Sequence, residues 1–148
     1  MNSGTVLTGS IGIAIGIAIG VVAVATDLVR RVVPNWLTVA GVLAGVLFHA
    51  ATGGWRGLGL AIGGAALGLV VLLPVRMAGA MGGGDLKLMA AFGALLGPPG
   101  ILLAAVLAAI FGGIWALAWL GFRPRVRAVP YAPAIVLGAW ASWIGGGS

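Results

Sequence analysis

The chain has 148 residues, of which eight are basic and two are acidic, Asp27 and Asp85, giving a formal net charge of +6. Apolar residues make up 61% and charged residues only 7%, against about 25% charged in soluble domains. A soluble domain is excluded because it could not cover its surface with polar groups, and a disordered chain because such chains are poor in apolar residues. What remains is a polytopic membrane protein.

A membrane helix needs about 20 apolar residues to cross about 30 Å. Six spans with short loops use nearly the whole chain and leave a single transmembrane domain over 1–148. Cysteine is absent, so disulfides, zinc ribbons and thiol catalysis are excluded. The single His49 cannot make a metal site, and no cofactor is expected. In a soluble protein the positive charge would suggest nucleic acid. Here the charges sit in short loops between apolar runs, the pattern of membrane topology, and no nucleic-acid partner is expected.

The first predicted span covers 6–25. Its alternation of Ile with Gly and Ala has period two, but the unbroken apolar length decides for a helix. On that helix Gly12, Gly16 and Gly20 share one face, a stripe for close packing. The next spans are expected at 36–51, 58–75 and 86–97. Pro98, Pro99 and Gly100 form a tight break, and spans at 101–120 and 129–144 follow. The pairs Gly41/Gly45, Gly59/Gly63, Gly64/Gly68 and Gly93/Gly97 repeat the small-residue spacing and are read as packing glycines. Gly82, Gly83 and Gly84 run straight into Asp85 and predict an unwound segment, which a membrane protein tolerates only where it is lined by protein or water.

Six spans place Arg30, Arg31, Arg76, Lys87, Arg123, Arg125 and Arg127 on one side and Arg56 alone on the other. The positive-inside rule then puts both termini outside and the three charged loops in the cytoplasm. Trp36, Trp55, Trp115, Trp119, Trp140 and Trp143 lie at or near span ends, as an aromatic belt would. Span 86–97 holds twelve residues and reaches only about 18 Å. Either that helix starts before Asp85, or Asp85 lies below the membrane surface.

This topology puts Asp27 and Asp85 at one face, although 58 positions separate them. Acids near hydrocarbon are costly and mark functional sites. Two carboxyls brought together cannot both ionise easily, and the pair holds a shared proton. One can then deprotonate a water while the other polarises a peptide carbonyl. The plainer alternatives are an Asp27 paired with Arg30 or Arg31, and an Asp85 that caps a helix.

The sequence around each Asp resembles a family. Asp27 is followed by Arg30, Arg31 and then Pro34-Asn35, and Gly82 and Gly84 precede Asp85 and Lys87. Downstream come FGALLGP over 92–98 and VPYAPA over 129–134. In this order, over roughly 25–141, they resemble the type IV prepilin peptidases, intramembrane aspartyl peptidases of the Gly-x-Gly-Asp kind. The resemblance implies six helices in the bacterial cytoplasmic membrane. It implies cleavage of type IV prepilins and pseudopilins on the cytoplasmic side, after a Gly ending a basic leader. By position, Asp27 and Asp85 would be the catalytic pair, with Gly82 and Gly84 shaping the loop.

Longer members carry a Cys-rich domain linked to N-methylation. The chain is more similar to short, peptidase-only members of tight-adherence (Flp-type) pili, so methyltransferase activity is not expected.

Other residues take plainer readings. Lys87 is two positions from Asp85 and on a helix points elsewhere, as a topology charge or a substrate or lipid contact. Pro34 and Asn35 set the turn into the second span. Tyr131 anchors at the interface or bonds the site through its hydroxyl. Met77 and Met81 flank the glycines, and His49 packs far from the acids. The rival functions are a small proton-coupled transporter and a structural membrane subunit. Relay acids in a transporter would be spread deep within the spans and towards both faces, whereas these two share one.

Overall fold

The computed structural model describes residues 3–30, 33–77, 79, 82–122 and 131–146. Every regular element in these residues is a helix: α1 (Ser3–Arg30), α2 (Asn35–Met77), α3 (Gly83–Phe122) and α4 (Ala132–Gly146). An apolar chain of this kind satisfies its backbone groups within each segment, which is what a bilayer demands. Three of the helices hold stretches long and apolar enough to cross a membrane: 9–30 in α1, 35–77 in α2 and 83–114 in α3.

Two of the four helices are broken. In α2 the break is at Gly54, with φ 56° and ψ −137°, and in α3 it is at Gly97, with φ 69° and ψ 178°. Both values lie in territory open to glycine and closed to other residues. The tight break expected at Pro98-Pro99-Gly100 therefore falls one residue earlier. Pro98 and Pro99 open the second arm of α3, where a missing N–H costs nothing.

The packing shows that α2 doubles back. In its first arm Gly41 meets Ala91 and Gly45 meets Ala94, so the two chains run the same way. In its second arm Gly64 meets Gly93 and Gly68 meets Met89, so they run opposite ways. The first arm of α3 is thus held between both arms of α2. Its Leu88, Met89 and Phe92 are among the largest fully buried side chains. The second arm of α3 runs antiparallel to α4, with Ala104 and Ala108 at Gly138 and Gly112 at Tyr131.

The crossing at Gly64 and Gly93 is backbone on backbone: a methyl on either would collide with the other's carbonyl oxygen. In lipid there is no hydrophobic drive between helices, so such close approach supplies the packing energy. Gly12, Gly16 and Gly20 of α1 do form a packing stripe, and large rings fill it. Phe48 lies on Gly12, Trp143 on Gly16, and Trp140 with Val136 on Gly20.

Several expectations change. Gly59 has nothing near it and Gly63 only the edge of Pro98, so they are not a packing pair. Gly97 is a hinge as well as a packing residue: a Cβ on Gly64 would stand 2.9 Å from its Cα. Trp140 and Trp143 are half-buried against α1 and Phe92, while Trp36 and Trp55 are exposed as belt residues would be. The third helix starts at Gly83, ahead of Asp85, so Gly83 and Gly84 are helical and only Gly82 lies outside. The charges at Arg31, Arg123, Arg125 and Arg127, Met81, and the side chains of Trp115 and Trp119 lie outside the described residues.

Candidate active site

The end of α1 and the starts of α2, α3 and α4 meet at one end of the molecule, where Arg76 near the end of α2 also lies against Gly83. Asp27 sits in the last turn of α1 and Asp85 in the first turn of α3. Both are buried, 5% and 6% exposed. They line one cavity of about 320 Å³ together with Val33, Asn35, Gly82, Gly83, Gly84 and Lys87.

Each wall has a local cause. Pro34 opens α2, its carbonyl accepting the N–H groups of Leu37 at 3.1 Å and Thr38 at 3.4 Å. The Thr38 hydroxyl donates to the Asn35 carbonyl at 2.9 Å. These bonds hold Asn35 at the cavity while Pro34 itself does not line it. Gly84 lies against Val33: a Cβ on Gly84 would stand 3.0 Å from Val33 Cβ and 3.2 Å from its backbone nitrogen. That approach draws the α1–α2 connection onto the start of α3 and brings Asp27 and Asp85 together. Gly82 sits just outside α3, and its N–H donates to the Asp85 carboxyl. A side chain at the third helical position reaching back to the cap amide is half of a capping box. Asp85 thus helps begin the helix from inside it, and still faces the cavity.

Asp27 is held from α4. The N–H of Ala132 donates to Asp27 Oδ2 at 3.3 Å. The first amides of a helix have no partner of their own, and the helix dipole favours negative charge there. Nothing in the sequence signals this contact, because any residue type carries a backbone amide.

Lys87 corrects its expected direction. Its Nζ donates to Asn35 Oδ1 at 2.8 Å, and it lines the same cavity as Asp85. The helical offset is overridden because a flexible four-carbon stem can swing round the first turn. Tyr131 is not among the cavity residues. Its ring packs on Gly112, and its carbonyl accepts the Ile135 N–H at 3.1 Å to start α4. His49 lies elsewhere, with Nε2 at 2.9 Å from the Leu95 carbonyl, as a packed residue would. Among the described residues no group of three His, Cys, Asp or Glu could hold a metal ion.

Two buried carboxyls facing one polar cavity, at the ends of apolar helices, define a class: a helical membrane protein with a paired-acid site. Comparison with known proteins narrows it. The model of the type IV leader peptidase family matches residues 14–117, and the chain belongs to that family. It is 30% identical over 131 residues to a prepilin leader peptidase/N-methyltransferase of Aeromonas salmonicida, covering 82% of this chain and 45% of that protein. It is 34% identical over 132 residues to the protein of the same description in Aeromonas hydrophila, with the same coverage. A Xanthomonas campestris protein of that description is 34% identical over 93 residues, 60% of this chain and 32% of its own. The chain thus spans less than half the length of the curated relatives it matches. No solved structure matches.

Proposed function

We propose that the chain is an intramembrane aspartyl peptidase that removes the leader of type IV prepilins, with Asp27 and Asp85 as its catalytic pair. One observation carries the reading: two acids 58 positions apart, the only ones in the sequence, line one cavity in a chain of the leader peptidase family. A water between the carboxyls loses a proton to one of them and attacks the peptide carbonyl. The other carboxyl gives its proton to the carbonyl oxygen; as the C–N bond of the tetrahedral intermediate breaks, the first carboxyl passes its proton to the departing amine of the mature pilin and a hydroxyl proton returns to the second carboxyl. The Ala132 amide on Asp27 and the Gly82 amide on Asp85 give each carboxyl one backbone donor, so the roles of base and acid are shared by the pair.

The reading includes six membrane crossings, one for each arm of α2 and α3 and one each for α1 and α4. Both termini lie outside, and the aspartate end faces the cytoplasm, in keeping with Arg30, Arg76 and Lys87 at that end. The substrates are Flp-type prepilins and pseudopilins, cut after a Gly.

The test is reconstitution of the chain in liposomes with a pilin precursor whose basic leader ends in Gly. Mass spectrometry should find one cut, directly after that Gly. An uncut precursor, or cleavage elsewhere, would sink the reading. Single cysteines placed at Gly82 and Trp55 in this Cys-free chain should react with an impermeant thiol reagent from opposite sides.

A further inference from the structure

Beside the aspartate cavity lies a second, larger one of about 490 Å³. It is walled by Thr38, Val39, Val42 and Leu43 from the first arm of α2, Leu69 from the second arm, and Ala90 from α3. Asn35 and Lys87 line both cavities, so the groove begins where the polar site ends. From Asn35 to Leu43 it follows eight positions of helix, about 12 Å or two turns. Val39 and Leu43 are 57% and 56% exposed along it. Two other apolar grooves lie on the α1 and α4 side, and neither shares a lining residue with the aspartate cavity.

We propose that this groove seats the first two turns of an apolar substrate helix, the part that directly follows the scissile bond. The assignment rests on the peptidase reading above. A chain whose cleaved bond lies between Asp27 and Asp85 passes from the polar cavity into the groove at Asn35 and Lys87, which line both. The groove wall is apolar for two turns, so the residues it receives are apolar. A helix in a groove presents anchors at i, i+3 or i+4, and i+7. The Lys87–Asn35 hydrogen bond marks the border: unwound, cleavable backbone on the aspartate side, helix on the other.

The sequence contains no cysteine, so single cysteines can be placed without background. The trap is an Asp85→Asn chain, which holds the precursor uncut, carrying Val39→Cys, Leu43→Cys or, as the comparison, Leu137→Cys in the α1–α4 groove. The probe is a pilin precursor with one cysteine stepped through the eight residues after its cleavage site. The proposal expects cross-links at positions 39 and 43 with helical periodicity in the precursor, and few at 137. In the otherwise unchanged chain, Leu43→Trp should raise KM on the order of tenfold with kcat retained, and Leu137→Trp should change neither.

Cross-links concentrated at 137, or without periodicity, would overturn the groove while cleavage by the unaltered chain leaves the peptidase reading standing. Unchanged kinetics in Leu43→Trp would mean that the groove holds lipid only, and would overturn it too. If the unaltered chain cuts no precursor, both readings fall.

Discussion

Asp27 and Ala132 are 105 positions apart, yet the Ala132 N–H reaches Asp27 Oδ2 at 3.3 Å. The start of α4 is therefore built into the surroundings of the acid on α1. Ala132→Pro deletes that donor at the first position of a helix, where proline is tolerated. The expected result is a fall in kcat of about tenfold, the equivalent of about 1.4 kcal/mol lost from one charge-assisted bond. Ala132→Gly keeps the amide and should retain most of the activity. Equal losses in the two variants, measured by precursor cleavage in detergent, would reduce the contact to a packing role.

The two carboxyls should behave as one unit. Asp27→Asn and Asp85→Asn keep the side-chain shape and remove the capacity to carry a proton to and fro. Each should lower precursor cleavage by about 10²–10⁴-fold, the range of acid–base catalysis. The double variant should be little worse than either single one, because groups acting together are not additive. A single variant that cleaves at the normal rate would remove its residue from the mechanism.

The glycines before Asp85 differ sharply in what surrounds them. A Cβ on Gly82 would meet only Asp85 Oδ2, at 3.6 Å, so Gly82→Ala should leave thermal stability nearly unchanged. Gly84→Val would press on Val33 from 3.0 Å and should cost about 1–3 kcal/mol. It should also reduce cleavage, since that contact sets the spacing of the two acids. Thermal unfolding in detergent beside a cleavage assay separates the two effects.

A similar contrast exists within α2. Gly59 has open space around it, and Gly59→Ala should stabilise the helix by about 0.5–1 kcal/mol. Gly64→Ala would drive a methyl into the Gly93 carbonyl and should prevent the native crossing of α2 and α3. Expression level and unfolding midpoint of the two variants provide the comparison; matching behaviour would contradict the backbone-on-backbone packing.

Composition and spacing carried much of this protein. Sixty-one per cent apolar residues with two acids leave membrane helices as the only economical structure, and runs of about 20 apolar residues mark where they lie. Asp27 and Asp85 stood out as candidates for the same reason: an acid beside hydrocarbon is costly enough to be conspicuous. The glycine stripe on α1 was legible through its period of four.

What folding added depends on contacts between distant segments. Lys87 turns onto Asn35 because its stem is long, which no helical offset predicts. Gly59 and Gly64 look alike in sequence and differ only in what stands opposite them. The Ala132 amide has no side-chain signature at all. That Asp27 and Asp85 share a cavity follows from Gly84 accepting Val33 at van der Waals range and from α2 doubling back at Gly54. Local pattern reports the periodicity of one helix; which faces meet is settled only by packing among all of them.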